Sequence, residues 1–261
     1  MENCEILLYK KADRNSVLKE LAEKLNCEIN DVFNRIDSFA ESLDVPVVIY
    51  VSDDNCENNT VSEVINAFET AVSKNKNISL TIKTDEFLNL INSNGHITHK
   101  AKPRTLVHRD GDFHPTVHIW VVKKTDMGIY VLLQKRASCK DLRPDCFDVS
   151  SAGHVTAGTE YRDSAARELF EELGIKAELK QLEFIGMHSS EFTADNVCDK
   201  EISAVYLYRE PVDIKKLTLQ QSEVAEVHWV DLDECLTLMG NPDFKHCISI
   251  EELKMIRKTL L

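Results

Sequence analysis

The chain has 261 residues, of which 43% are hydrophobic and 29% are charged, so it contains enough apolar material for one or two folded domains. Its 44 acidic residues outnumber its 31 basic residues and give a formal net charge of −13. This charge repels nucleic acids and membrane surfaces at long range, so neither is an expected partner. An anionic substrate would therefore require a local positive centre, such as a metal ion.

The amino-terminal stretch MENCEILLYKK has no basic segment followed by a long apolar run, and no apolar stretch of the chain is long enough to span a bilayer. Eight cysteines are scattered without a CxxC pair, in a chain that is too large to need disulfide bonds for stability. We therefore expect a cytoplasmic protein with reduced cysteines and no membrane association.

Residues 1–97 are predicted to form a small α/β domain, because short β-rich runs alternate with amphipathic helical patterns. The predicted elements are, in chain order, a strand CEILLYK, helices SVLKELAEKLN and INDVFNRIDSFAESL, a strand VPVVIYVS, a helix VSEVINAFETAVSK, a strand ISLTIK and a short helix DEFLNLIN. The polar segment NSNGHITHKAKPRTLVHRDGDFHP follows. It contains Gly and Pro, and it is the predicted domain boundary.

The first two helices also have the pattern of a helix-turn-helix, LKELAEKLNCEINDVFNRIDSF. However, residues 1–97 contain 17 acidic and 9 basic residues, a net charge of −8, and the second helix offers only Arg35 as a cation. DNA binding requires local positive charge, so a role as a transcription regulator is not favoured. A dimerisation module, which would make the protein a homodimer, and a module that shapes the substrate pocket both remain open.

Residues 98–261 are predicted to form an α+β domain with mixed sheets, because several strands are interrupted by few helices. The predicted strands are TVHIWVV, GIYVLLQKR, FDVSS, LEFIGMHSSEF, ISAVYLYRE and VAEVHWV. Helices are predicted after FDVSS, at LDECLTLMG, and in a C-terminal extension, SIEELKMIRKTLL.

The helix after FDVSS belongs to the stretch GHVTAGTEYRDSAARELFEELGI, residues 153–175, and places Glu168, Glu171 and Glu172 on one face. Like charges at this spacing destabilise an isolated helix by about 0.3 kcal/mol each, unless a cation lies nearby. Mg²⁺ binds a few carboxylates together with substrate phosphates, so the three residues offer part of a coordination shell. A solvated acidic face is the alternative, since Glu-rich helix surfaces are common.

The spacing in this stretch resembles the Nudix box. The matching positions are Gly153, Arg167, Glu168, Glu171, Glu172, Gly174 and Ile175. The resemblance implies a Nudix fold in which the three glutamates bind metal, Arg167 is their structural and electrostatic partner, and Gly153 allows close backbone approach. Thr159 stands where the family has its first Glu, with Glu160 beside it, which implies a weakened structural salt bridge rather than lost activity.

The flanking segments, from about Arg104 to Leu232, resemble the Nudix branch that includes isopentenyl diphosphate isomerases. Those isomerases use a cysteine just before a glycine-histidine pair, but this chain has Ala152 there, which cannot relay a proton. The residues that fall roughly where the isomerase's metal ligands lie are His114, His154, Asp199 and Glu201. A metal bound by histidines, among His108, His114, His118 and His154, is an alternative to hydrogen-bonded residues beside a pocket.

The sequence thus predicts a Mg²⁺-dependent Nudix pyrophosphohydrolase, with Mn²⁺ as the alternative ion, acting on a small phosphorylated substrate that is a nucleoside diphosphate derivative. The predicted catalytic residues are Glu201, as a general base or further metal ligand, with Glu171 and Arg167. The predicted substrate-binding residues are Arg136, Gly153 and His154, because an arginine fork matches a phosphate. An isomerase and a non-catalytic sensor or regulator are the alternative functions.

Overall fold

The computed structural model describes residues 3–8, 14–43, 45–52, 59–75, 78–140, 142–194 and 197–261. The chain divides into two compact units, Met1–Leu88 with Ala101–Val107, and Asn89–Lys100 with His108–Leu261. Among the described residues, no helix combines the length and the apolar character that crossing a membrane requires. The seven described cysteines are free thiols, and the eighth, Cys56, lies outside the described residues.

The first unit contains a parallel three-stranded sheet whose strands are ordered β1-β2-β3. Its elements are β1 (Cys4–Leu8), α1 (Arg14–Leu25), α2 (Val32–Glu41), β2 (Val47–Ser52), α3 (Asn59–Lys74) and β3 (Leu80–Asp85). Alternate strand residues such as Ile6 and Ile49 form one apolar core with helix residues such as Ile36 and Phe68. The described part of the predicted strands and of the first three predicted helices is therefore confirmed, while Tyr9 and Lys10 lie outside the described residues.

The short helix predicted at DEFLNLIN is wrong, because the chain forms strand β4 (Phe87–Ile91) there, paired with β5 (Ile97–Pro103). The side chain of Asn92 accepts hydrogen bonds from the amides of Asn94 and His96, and Gly95 has a φ of +78°. This turn supplies a partner strand, whereas eight residues are too few for a stable isolated helix. A further helix, α4 (Arg104–Asp110), also lies within the segment predicted as a loop.

The second unit is built on a seven-stranded mixed sheet, which confirms the predicted α+β class. Its strands are β6 (Phe113–Thr125), β7 (Gly128–Arg136), β8 (Phe147–Asp148), β9 (Ser151–His154), β10 (Leu182–Ala194), β11 (Val197–Tyr208) and β12 (Val224–Asp231). Its helices are α5 (Tyr161–Leu173), α6 (Leu232–Leu238) and α7 (Ile250–Leu260). The main path runs β10-β11-β6-β7-β12, with β8 paired to β7 and β9 paired to β6.

The central strand β6 contributes to two separate cores, because successive side chains of a strand point to opposite faces. Val117 and Ile119 pack with Leu169 of α5, whereas Trp120 packs with Leu253 and Ile256 of α7. The even-numbered residues of β6 therefore face α7, and the odd-numbered residues face α5. This alternation decides which side of the sheet each candidate site residue occupies.

Candidate active site

Helix α5 is bounded by local signals in the sequence. Gly174 ends it with a φ of +74°, a left-handed conformation that glycine adopts readily, and its amide donates to the Phe170 carbonyl at 2.8 Å. Before the helix, the Thr159 hydroxyl lies 2.6 Å from the Thr156 carbonyl oxygen and 3.0 Å from the Ser164 hydroxyl. Thr159 thus ties the preceding loop to the first helical turn through neutral hydrogen bonds.

Two of the predicted carboxylates pack directly against strand β9. The Glu168 carboxylate lies so close to Gly153 that a Cβ at this position would overlap it. One oxygen of Glu172 accepts a hydrogen bond of 3.1 Å from the Ala152 amide. Glu168 is mostly buried and Glu172 is buried, whereas Glu171 lies at the exposed edge of the same helix face. We call these three residues the glutamate face.

Arg167 links the glutamate face to the end of β9. Its guanidinium lies 2.7 Å from Glu168 and 3.1 Å from Glu171, and it donates to the His154 carbonyl at 3.1 Å. A cation within hydrogen-bonding distance of two carboxylates offsets their mutual repulsion, and the third contact fixes the helix relative to the strand. The structure thus brings together the predicted residues Gly153, Arg167, Glu168, Glu171 and Glu172.

The buried position of Glu172 perturbs its acidity. Burial, reinforced by the negative charge of Glu168, raises the pKa of Glu172 from 4.5 to about 8, against the opposing hydrogen bond from Ala152. The folded protein therefore retains this proton up to about pH 8, whereas the unfolded chain releases it near pH 4.5. The contribution of Glu172 to stability consequently falls as the pH rises between these two values.

Glu172→Gln is therefore expected to stabilise the metal-free protein, by a gain in unfolding free energy on the order of 3 kcal/mol at pH 8.5 that is much smaller at pH 5.5. Urea unfolding in EDTA at the two pH values measures this gain. Glu171→Gln is the matched control, because its carboxylate is exposed, and it should show no comparable pH-dependent gain. Equal gains for Glu172→Gln at the two pH values would contradict the prediction.

The contact between Gly153 and Glu168 makes a second prediction. Gly153→Ala should leave the fold intact, because only the mobile end of the Glu168 side chain must move, but it should displace the carboxylate. For the hydrolytic activity that the Nudix resemblance implies, we expect a fall between about 10- and 100-fold, which is typical when a metal ligand loses its support. Gly240→Ala is the control, since its added Cβ would meet only the Thr237 carbonyl at 3.4 Å. Wild-type activity in Gly153→Ala would show that the close approach is not required.

A second group of potential ligands lies on the opposite face of β9 and β6. We call it the histidine–carboxylate cluster, and its members are His108, His114, His154, Asp199 and Glu201. The three imidazole centroids are 5.1, 5.5 and 5.9 Å apart, and the ligand atoms of His108, His114 and His154 lie within 4.8 Å of one another. The same limit holds for His114, Asp199 and Glu201, so His114 is common to both triples.

The register explains how distant parts of the chain form this cluster. Glu201 of β11 lies opposite His114 of β6, and His154 of β9 lies opposite Thr116 of β6. Residues directly opposite share a face of the sheet, so these side chains project together, and His108 approaches from the end of α4. Gly153 lies opposite Val117 and faces α5, which places the glutamate face on the other side of β9.

The electrostatics of the cluster favour bound or shared positive charge. Burial raises the pKa of Glu201, and the neighbouring Asp199 raises it further, while His118 and His114 act in the opposite direction. Burial lowers the pKa of His114, but the nearby Asp199 carboxylate, the charge of Glu201 and the Asp112 carbonyl outweigh this effect, so the pKa is raised. The His114 Nε2 atom lies 3.3 Å from Asp199 and 3.9 Å from Glu201.

Arg136, a predicted phosphate ligand, has its guanidinium engaged within the protein. It donates to the carbonyls of Arg143 and Leu142 at 3.2 and 3.1 Å, and it lies 3.3 Å from a carboxylate oxygen of Asp148. These contacts favour a role in holding the loop that follows β7. Its role in substrate binding stays a prediction.

The structure contains a buried polar network that was not predicted from the sequence. Glu252 of α7 contacts His118 and Trp120 of β6 and is fully buried. A signal was available: Glu252 precedes Ile256 by four positions and Leu260 by eight, so it occupies the apolar face of an amphipathic helix. A carboxylate at such a position requires a buried partner.

The chain is similar to several known proteins over its second half. The family model described as NUDIX domain matches residues 112–249, more than half of the chain. An uncharacterized Nudix hydrolase of Clostridium acetobutylicum is 37% identical over 157 residues, 60% of this chain and 75% of that protein. Nudix hydrolase 3 of Arabidopsis thaliana is 36% identical over 163 residues, 61% of this chain and 21% of that protein. Isopentenyl-diphosphate Delta-isomerase 2 of Photorhabdus laumondii is 29% identical over 141 residues, 52% of this chain and 73% of that protein.

Proposed function

This chain belongs to the NUDIX family and is a hydrolase, and from this premise we propose that it cleaves the diphosphate of a nucleoside diphosphate derivative with Mg²⁺ as its cofactor. The observation that carries the proposal is the packing of the glutamate face on β9, with Glu168 against Gly153 and Glu172 on the Ala152 amide. Mn²⁺ is the alternative ion. The proposed partner is a small phosphorylated molecule.

The donor atoms of the glutamate face are carboxylate oxygens, the ligands that a hard divalent cation prefers. Glu168 and Glu172 pack against β9, and Glu171 lies at the exposed edge of the same helix face. Glu168, Glu171 and Glu172 would hold the ion. When bound, it would neutralise phosphate oxygens and lower the pKa of a coordinated water. Arg167 keeps Glu168 and Glu171 in position through its hydrogen bonds, and Gly153 leaves room for the Glu168 carboxylate.

Glu201 is the proposed general base for a water bound on its own face of the sheet, at the histidine–carboxylate cluster. A carboxylate of the glutamate face is the alternative proton acceptor for a water bound on the α5 side. A base works best when its pKa lies near the operating pH, and burial together with Asp199 raises the pKa of Glu201 in that direction. His154, at the end of β9, is proposed to contact the substrate near this carboxylate. The imidazoles around Glu201 would suit a transition-metal ion better than Mg²⁺, so a second cation at the histidine–carboxylate cluster is compatible with the donor set.

A product-release screen tests the proposed function. The purified chain would be incubated with nucleotide sugars, dinucleotides, ADP-ribose and nucleoside triphosphates, each with Mg²⁺ and with Mn²⁺, and the phosphorylated products separated by chromatography. We expect one class to be hydrolysed at the diphosphate, and the double variant Glu168→Gln/Glu172→Gln to be inactive on it. Tight binding of a nucleotide without turnover would instead indicate a sensor.

An isopentenyl diphosphate isomerase is the second candidate function, because the histidine–carboxylate cluster is present together with similarity to a named isomerase. The residue opposite His118 on β9 is Ala152, whose methyl group cannot relay a proton. We therefore favour hydrolysis. Proton NMR of isopentenyl diphosphate incubated with the protein distinguishes the two, since isomerisation yields the allylic isomer without release of phosphate.

A further inference from the structure

A fully buried carboxylate connects the C-terminal helix to the central strand of the sheet. One oxygen of Glu252 lies 2.7 Å from Nδ1 of His118, and the other accepts a hydrogen bond of 2.7 Å from Nε1 of Trp120. His188 of β10 lies 4.0 Å from the same carboxylate. Three polar side chains from two strands therefore surround one glutamate of α7.

Attachment of α7 does not by itself explain this carboxylate. Leu253, Ile256 and Leu260 already pack the helix against the sheet, and each is buried. Removing a carboxylate from water costs several kcal/mol, and an apolar residue of similar volume would attach the helix without that penalty. The carboxylate is better explained by what it does to its partner His118.

The contact with Glu252 fixes the orientation of the His118 ring. Burial alone would lower the pKa of His118, but the charge of Glu252 and the hydrogen bond to it outweigh burial and raise the pKa to about 9. Burial alone would raise the pKa of Glu252, yet His118 and Trp120 stabilise the carboxylate and lower it. The His118 Nδ1–H group therefore donates a hydrogen bond to the Glu252 carboxylate, and the ring cannot rotate without breaking this bond.

The other ring nitrogen of His118 lies near a buried hydroxyl of strand β11. Its Nε2 atom lies 3.4 Å from the Ser203 hydroxyl, which lies 2.8 Å from the Thr116 hydroxyl. Thr116 is directly opposite both Ser203 of β11 and His154 of β9. The side chains of Ser203 and Thr116 are both buried.

We infer that Glu252 is a positioning residue for the histidine–carboxylate cluster: by holding His118, it orients the Ser203 and Thr116 hydroxyls that lie beside His154 and next to Glu201 on the same sheet face. The inference rests on the proposed function only in taking this cluster to be part of the hydrolase site. Its chemistry is that of an outer hydrogen-bonded layer, which fixes the residues that contact a cation or substrate without touching either.

The test uses the full chain labelled with ¹⁵N-histidine, with the His118 signal assigned by its loss in a variant. Glu252→Gln keeps an oxygen that can accept the hydrogen bond from Trp120, but it removes the negative charge that stabilises the protonated form of His118. At pH 7 one ring nitrogen of His118 should therefore lose its proton. Zn²⁺, an ion suited to imidazole ligands, is then titrated while the His114 signals are followed. We expect Glu252→Gln to weaken Zn²⁺ binding between about 10- and 100-fold.

Two variants separate positioning from helix attachment. Glu251→Gln changes the neighbouring exposed carboxylate and should leave the His118 signal and Zn²⁺ binding unchanged. Trp120→Phe removes the other hydrogen bond to Glu252 but not the one to His118, and it too should leave both readouts unchanged. If Glu252→Gln does not fold, His118→Asn replaces it in the Zn²⁺ titration, because its amide can still donate to Glu252, and the same weakening is expected.

The inference is overturned if Glu252→Gln, or His118→Asn in its place, binds Zn²⁺ within twofold of wild type, or if Trp120→Phe weakens Zn²⁺ binding as much as Glu252→Gln does. Neither readout requires a substrate. A chain that hydrolyses nothing in the screen would therefore count against the proposed function alone, while a failed titration would count against the role of Glu252 alone.

Discussion

Glu168→Gln is expected to lower kcat/KM for the hydrolysed substrate by about a hundredfold or more, comparable to the loss of a major group that stabilises charge in the transition state. The substitution preserves the volume of the side chain and leaves an oxygen that can accept from Arg167. It removes the negative charge that packs against Gly153 at the end of β9. The expected loss therefore comes from weaker cation binding rather than from an altered fold.

Steady-state kinetics at several Mg²⁺ concentrations measure this effect, and part of the activity should return at high Mg²⁺. Asp163→Asn is the matched control, because Asp163 is an exposed acid in the first turn of the same helix. It should stay within about twofold of wild type, as expected for a surface change away from the site. If Glu168→Gln were about as active as this control, Glu168 would not be a ligand of the cation.

Glu201→Gln should reduce kcat between about 10²- and 10⁴-fold, which is the usual contribution of a general acid or base. Glutamine cannot accept the proton of the attacking water, although it fills the same space opposite His114. The substrate should still bind, so KM should change much less than kcat. Single-turnover measurements would separate a slower chemical step from slower product release.

Glu183→Gln provides the control for this experiment. Glu183 lies on β10, is exposed and pairs with Arg209 at the surface, so its loss should leave kcat unchanged. If Glu201→Gln keeps wild-type kcat while Glu168→Gln is inactive, then the proton acceptor is a carboxylate of the glutamate face. That result would be consistent with the proposed hydrolase function but would assign the general base to the glutamate face.

Much of the fold could be predicted from the chain itself. The β-rich runs TVHIWVV and ISAVYLYRE predicted β6 and β11, because β-branched and aromatic residues favour strands. The helical spacing in RELFEEL predicted α5, because a period of three to four residues indicates a helix. The segment DEFLNLIN was wrongly predicted as a helix because it is too short for its side-chain period to be decisive. Its apolar residues fit either period over so short a length, and only pairing with β5 decides in favour of a strand.

Some features of the candidate site could likewise be predicted from the sequence, and others could not. The motif spacing was sufficient to predict the glutamate face, since residues three and four apart on a helix are neighbours whatever the rest of the chain does. The resemblance implied a structural role for Arg167 and a close approach at Gly153, but not the particular contacts, which are Arg167 with the His154 carbonyl and Glu168 with Gly153. The engaged guanidinium of Arg136 could not be foreseen, because its partners come from the loop after β7 and from β8.

The sequence by itself determined the family resemblance, the acidic helix and the replacement of the isomerase cysteine by Ala152, because each depends on residue identity and short spacing. Only the tertiary structure decided that His154 and Gly153 point to opposite faces of β9 and that Glu252, 134 residues after His118, lies within hydrogen-bonding distance of it. Strand register and helix packing bring together residues far apart in the chain. Those contacts are determined by the whole core rather than by any local pattern.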